Sequence, residues 1–255
     1  AGTNSTLSLN DNGGTSTTLT LGSTWTRGAA STLFVDYTSA NAASRVAVGA
    51  APSGATGTNN IIGYAAVNNG GSTGLAHWDG TNIVRFDTTL ATVLADNSNS
   101  AITDYTTAGM AANPLLWDNT LTTRAVNSLT FDSATAQVVK MGAVGNTLTL
   151  SSGAIQLIGA GDGTLQGGRI GALGSEVIVQ QNGAGTLFLN SPLSGNTGGP
   201  LKMGSGTLQV SGGLSTVSGA LNGTNTVTVA STDGLSVGQA VTGGGIPSGT
   251  TITAL

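Results

Sequence analysis

The side chains best suited to acid–base chemistry gather in one stretch: His77, Asp79, Arg85 and Asp87. Glycan cleavage needs two or three acids, or an acid beside a Lys or Arg base, converging on one face. In an extended strand Arg85 and Asp87 share one face and His77 and Asp79 the other, so each face carries only a pair. The plainer reading, solvated charges on an irregular stretch, is preferred, and a glycan lyase or hydrolase ranks as the second alternative. His77 is the sole His, which leaves a serine nucleophile without a choice of base. No catalytic residue is expected.

Metal and ligand signals are equally thin. Gly159-Ala160-Gly161-Asp162-Gly163-Thr164-Leu165 approaches the calcium-binding nonapeptide coil, but its spacing is one residue short and it occurs once. Asn10-Asp11-Asn12-Gly13 lacks the remaining ligands of a calcium loop. Both read as turn acids without metal. Trp25, Trp78 and Trp117 would stack on sugars if one surface aligned them, and Trp78 and Trp117 are the glycan contacts of an adhesin reading. In a chain with 4% aromatic residues, caps or core plugs are the plainer role. No phosphate loop or nucleic-acid motif occurs, and no cofactor or metal is expected.

Composition narrows the class. Of 255 residues only 7% are charged, while 41 are Gly and 40 are Thr. Charge is far below the roughly 25% of ordinary globular domains, yet 38% apolar residues do not fit the disordered signature. Net charge is −4 and the seven Lys or Arg are scattered singly, so a nucleic acid or an anionic membrane finds no basic cluster. The acids are Asp apart from Glu176, as suits turns, and helix is not expected. There is no Cys, and no apolar run approaches the ~18 residues of a membrane span. A start without Met and a stop in mid-pattern at Ala254-Leu255 read as a processed product or a segment of something longer.

A four-residue phrase, Thr followed by an apolar-polar-apolar triplet, organises the chain. It stands at Thr147–Leu150, Thr186–Leu189 and Thr207–Val210, with looser copies at Ser128–Phe131, Thr164-Leu165 and Thr226–Val229, and early ones at Thr6–Leu9 and Thr18–Leu21. The first apolar residues of the later copies, at 129, 148, 165, 187, 208 and 227, are spaced by 19, 17, 22, 21 and 19 residues. A strand this short cannot bury its apolar face alone, but copies stacked about 4.8 Å apart can. The period predicts an all-β fold, a parallel β-helix with rungs of about 20 residues. Residues 1–127 read as irregular rungs with decorated loops, 128–229 as the regular coil, and 230–255 as a small β segment for assembly or linkage. Gly159, Gly161, Gly183, Gly185, Gly204 and Gly206 mark corners, attributed here to backbone angles that a Cβ would obstruct.

At 180–213, Gln180-Gln181-Asn182-Gly183-Ala184-Gly185-Thr186-Leu187-Phe188-Leu189, followed by Gly198-Gly199-Pro200-Leu201-Lys202-Met203-Gly204-Ser205-Gly206-Thr207-Leu208, resembles the autotransporter-associated β-strand repeat family. The likeness covers about 128–213. Gly234–Ile252 is similar to a Gly-Leu-x-Val-Gly … Gly-Ile-Pro-x-Gly-Thr phrase of bacterial and phage extracellular proteins. The resemblance implies a right-handed β-helix exported from a bacterial cell, serving as a stalk with no particular activity.

After Lys202 the remaining 53 residues hold one charged group, Asp233. Solenoid ends expose unpaired strand edges that charge, Pro or a cap normally protects. A poorly protected end predicts copies joined head to tail through Val227, Val229, Leu235, Val237, Val241, Ile246 and Ile252, a heterologous contact that generates a fibre. The expected protein is thus a structural protomer of an extracellular filament whose partner is itself. The first alternative is a monomeric stalk or adhesin that binds a glycan or a host surface.

Overall fold

The computed structural model describes residues 4–117, 121–142, 145–173, 176–193, 200–211, 219–221, 227–229, 241, 245–247 and 250–253. Within them the chain is all-β, and the one helical element is a 3-10 turn at Thr88–Leu90. Two coils open the structure. Strands β1 (Asn4–Asn10) and β2 (Thr18–Leu21) are covered in parallel by β3 (Thr32–Ser39) and β4 (Arg45–Val48), with Leu7 opposite Val35 and Leu19 opposite Val46.

The pattern then departs from regular rungs. After β5 (Ala55–Thr56), strand β6 (Ile61–Asn69) stacks in parallel on β3, but β7 (Ser72–Trp78) and β8 (Asn82–Arg85) return antiparallel, and β8 closes on β4. The reversal is local in origin: Gly70 and Gly71 both hold positive φ, as a two-residue hairpin turn of this hand requires. The sheet therefore curls around its own core, where Val35, Val46, Ile62, Val67 and Ile83 are fully buried. Tyr37 crosses that interior, its hydroxyl donating to Ile83 O (2.8 Å) and accepting from Val46 N (2.9 Å).

Between Thr92 and Val210 the described residues form a parallel β-solenoid with three columns of strands. Its strands are β9 (Thr92–Val93), β10 (Ser100–Thr106), β11 (Leu115–Leu116), β12 (Thr123–Phe131), β13 (Gln137–Lys140), β14 (Thr147–Leu150), β15 (Ala154–Leu157), β16 (Gly163–Gln166), β17 (Arg169–Ala172), β18 (Ile178–Gln181), β19 (Thr186–Asn190), β20 (Leu201–Met203) and β21 (Thr207–Val210). The first column aligns Arg124, Leu148 and Ile170. The second aligns Tyr105, Leu129, Ile155, Val179 and Lys202. Leu115, Val139, Leu165, Leu189 and Val210 form the third. Inward aliphatic residues from all three columns make one core, Leu129, Ile155, Val179, Val139, Leu165 and Leu189 being fully buried. Each such side chain contributes roughly 1.5–3 kcal/mol through its removal from water.

Stacked partners lie 21 residues apart at Leu187 and Leu208 and 26 apart at Leu129 and Ile155, so most rungs are longer than 20. The Thr-Leu phrases occupy different columns. Leu148 stacks on Arg124 and beneath Ile170, whereas Leu129 stacks beneath Ile155. The copy ending in Val227–Val229 pairs antiparallel with Gly219–Leu221, as a hairpin instead of a rung. In the C-terminal segment the Val241 N–H donates to Thr250 O at 2.9 Å.

Gly159, Gly161, Gly183, Gly185 and Gly206 do not sit at positive φ. Their requirement is spacing: a Cβ on Gly185 would lie 2.2 Å from Gly161 O, and one on Gly161 would lie 2.3 Å from the Thr135 carbonyl. Rungs approach too closely at this corner for any side chain.

Candidate functional site

The curled sheet docks on the outer face of the second column. Ile61, Leu75 and Phe86 pack on Ala154, while Gly63 lies so near the Ser152 carbonyl that a Cβ there would come within 2.0 Å. The β6–β7 ladder is interrupted between Ile62 and Ala66, and solenoid side chains take up the freed backbone groups. Gln180 donates to Ala65 O (2.7 Å), and the Leu75 N–H donates to Gln156 Oε1 (3.0 Å).

One end of this interface holds a buried polar hub. Asp104, 1% exposed on β10, accepts from Asn127 Nδ2 (2.8 Å) and Ser128 Oγ (2.6 Å) on β12 and from Asn59 Nδ2 (2.9 Å) in the loop before β6. The Asn127 amide also donates to Thr56 O (3.0 Å), and the Thr58 N–H to Ile102 O (2.8 Å). Burial pushes the Asp104 carboxyl above its ordinary value although the hydrogen bonds from Ser128, Asn127 and Asn59 pull the other way. His77 joins through Asn59, its Nδ1 standing 3.2 Å from Asn59 O, with its ring edge-on to Phe86. Burial holds the His77 imidazole below its ordinary value.

The four residues that looked most like a catalytic group are divided among separate tasks. His77 pairs with Val84 across the β7–β8 ladder, and Arg85 pairs with Ala76. Asp79 closes its own turn, Oδ1 accepting from the N–H groups of Thr81 (2.8 Å) and Asn82 (2.7 Å). Desolvation would raise its carboxyl, but those bonds hold it below the ordinary range. Asp87 caps the 3-10 turn by accepting from the Thr89 N–H (3.0 Å), which lowers its carboxyl in turn. Other acids staple coil to coil: Asp162 accepts from the Thr186 N–H on the next rung (2.7 Å), and Asp11 from Asn41 and Ser44 on the next coil. Among the described residues no three His, Asp or Glu side chains converge as a metal site would require. Gly234-Leu235-Ser236-Val237-Gly238 has the spacing of a nucleophile elbow and lies outside the described residues.

The tryptophans point to three different places. Trp117 is 1% exposed and cannot offer its face to a glycan, contrary to the adhesin reading. It plugs the first rung of the solenoid, its Nε1–H donating to Ser98 O (2.9 Å) beneath the Arg124 guanidinium, 5.4 Å from the ring centroid. Trp78 is half-buried against the curled sheet's core and donates to Val48 O (2.9 Å), so it is a poor sugar platform as well. Trp25 lies in a cleft between the two units.

The end behind the plug is open in another sense. The outer edges of β9 and β11 pair with no strand among the described residues, and each of these strands carries an exposed aliphatic side chain, Val93 and Leu116 (66%); Leu90, Ile102 (62%) and Leu121 are exposed in the same stretch of sequence. At the far end β20 and β21 are likewise paired on one side only, with Val210 exposed and an exposed Lys202 ending the row that begins at Tyr105. Of the residues expected to mediate assembly, Val227 is exposed and Val241, Ile246 and Ile252 are half-buried. Leu235, Val237 and the side chain of Val229 lie outside the described residues. Compared with known proteins, the chain matches no family model, no curated protein and no solved structure.

Proposed function

We propose that this chain is a structural, extracellular protein of a bacterial surface, a protomer that stacks end to end into a filament and performs no chemistry of its own. The first rung carries the reading. Its two unpaired strand edges each carry an exposed aliphatic side chain, Val93 on β9 and Leu116 on β11. Parallel rungs give the two ends of a solenoid complementary edges, so a second copy added head to tail continues every column without reversing a strand. The Trp117–Arg124 plug keeps the interior dry in a lone protomer while leaving the edge available. The resemblance of 128–213 to autotransporter-associated repeats supports the surface setting.

The purified chain is expected to sediment as concentration-dependent oligomers and to show filaments by electron microscopy. Lys on an edge strand is a natural block to pairing, so Leu116→Lys together with Val93→Lys leaves a monomer. Both positions are exposed, and the monomer is expected to keep its stability to within about 0.5 kcal/mol per site. A wild-type chain that stays monomeric at high concentration, without filaments, overturns the proposal.

A further inference from the structure

Three Asn-Gly steps fall among the described residues, Asn12-Gly13, Asn69-Gly70 and Asn182-Gly183, and the fold places them in different surroundings. In such a step the backbone nitrogen that follows the Asn is a nucleophile for the side-chain amide, because Gly carries no Cβ to shield it. We propose that the folded chain deamidates itself at Asn69 and Asn12, while the stacked rungs protect Asn182. At position 69 the Gly70 nitrogen bonds to Asn69 Cγ, the Cγ–Nδ2 bond breaks, and Nδ2 leaves as ammonia with the proton that the Gly70 nitrogen gives up. Water then opens the cyclic imide at either carbonyl, leaving Asp or isoaspartate. Water is the sole co-reactant.

The reaction needs a free Gly N–H, a side chain able to swing, and water. Asn69 and Asn12 meet all three: both are exposed, and among the described residues neither side-chain amide nor the N–H of Gly70 or Gly13 is hydrogen-bonded. Nothing lies within 4 Å of a Cβ position at Gly70 or Gly13. Asn182 fails on each count. Its Nδ2 is buried, the N–H groups of Asn182 and Gly183 both donate to Leu157 O at 2.9 Å, and a Cβ on Gly183 would lie 2.2 Å from Gly159 O. The two reactive turns follow β1 and β6, which run parallel through β3, so both lie at one end of the curled sheet, where Asp11 and Asp36 already stand. Each event adds a carboxylate there, and isoaspartate at 69 also lengthens the backbone of the two-residue turn that sets the β6–β7 register. The modification goes beyond the filament reading and does not depend on it, since neither turn belongs to β9 or β11.

Incubation of the purified chain in warm, mildly alkaline buffer over several weeks, with peptide mapping by mass spectrometry at intervals, reads each step separately. The expected result is an amide-to-acid mass gain at Asn69 and at Asn12, in Asp and isoaspartyl forms, at least about tenfold faster than at Asn182, which reacts only when its rung opens. In urea, where the rungs are lost, Asn182 catches up, since all three steps share one sequence. Asn69→Gln removes the modified forms at 69 and leaves Asn12 reacting, with thermal melts confirming that the variant is folded. The proposal is overturned if Asn69 or Asn12 stays as inert as Asn182 in the folded chain, if Asn182 keeps pace with them there, or if Asn182 stays inert in urea.

Discussion

Replacing Asp104 with Ala is expected to cost about 3–5 kcal/mol, because it removes at once the acceptor of two fully buried donors and one half-buried donor. Asn59, Asn127 and Ser128 all donate to this carboxylate, and Asn127 and Ser128 find no water when it is gone, since both are fully buried. The loss falls on the joint between the curled sheet and the solenoid, because Asn59 belongs to one and Asn127 and Ser128 to the other. In a chain of this size it corresponds to a fall in Tm of roughly 6–20 °C. Asp36→Ala is the control: Asp36 is half-buried and accepts from Thr38 two residues away (3.0 Å) and from Asn68 on β6 (3.1 Å), and its loss is expected to cost about 1 kcal/mol or less. Equal melting temperatures for the two variants would refute the hub's role.

The same hub makes stability depend on pH in two opposed ways. His77 has a folded pKa below its unfolded value near 6.5, so the unfolded chain binds the proton more readily. Its contribution is complete above about pH 6.5 and is lost as pH falls through the lowered folded value. Asp104 runs the other way, since its folded pKa is raised. Its contribution is fully present below about pH 3.8 and declines as pH rises from there through the folded value. Melts of wild type and Asp104→Asn between pH 3 and 8 are expected to show the wild-type margin shrinking with rising pH across that lower window, then levelling. A margin that grows with pH there would mean that the three hydrogen bonds outweigh burial.

Much of the architecture was legible because strand alternation is a local property. Thr18–Leu21, Thr147–Leu150 and Thr207–Val210 are strands with the bounds of their phrases. Register was not legible, because the same Thr-Leu phrase serves all three columns. Leu187 and Leu208 are true stacked neighbours, while Leu165 stacks on Leu189, two residues beyond the matching phrase. Leu129 and Leu148 look like successive copies yet face different columns. Nor does alternation tell a parallel rung from an antiparallel return. Only the paired glycines after Asn69 mark the hairpin that turns the N-terminal coils into a curled sheet.

The polar hub was hidden for a different reason. Asp104 sits between Thr103 and Tyr105 in a strand, not in a turn where an acid ordinarily belongs, and that misplacement was the one available signal. What buries it is the loop around Asn59, 45 residues earlier in the chain, and no local pattern announces such a contact. His77 stands out in the sequence as a titratable group, but the acids nearest to it along the chain are not its partners. Asp79 and Asp87 answer to backbone N–H groups in their own turns, whereas the acid that shares a hydrogen-bonding partner with His77 is Asp104.

Gly185→Val is expected to be as damaging as the loss of Asp104, through sterics instead of unsatisfied donors. A Cβ at Gly185 would lie 2.2 Å from Gly161 O and 2.5 Å from its carbonyl carbon, and both are backbone atoms that no rotamer change can move. Gly161 meets Thr135 in the same way, and Gly183 meets Gly159. The three contacts stack along one corner, so relief at one rung presses on the next. Separating rungs there also strains the ladders on either side, β15 with β18 and β16 with β19. Overpacking of this kind costs about 1–3 kcal/mol where side chains yield, and more where only backbone can. Gly49→Ala isolates the cause: nothing lies within 4 Å of its Cβ position and its φ is not positive, so the change is expected to be neutral or to stabilise by up to about 1 kcal/mol. Urea denaturation of the two variants in the Leu116→Lys, Val93→Lys monomer keeps assembly out of the comparison. If Gly185→Val unfolds at the same midpoint as its parent, the close approach of rungs at this corner is not what demands glycine.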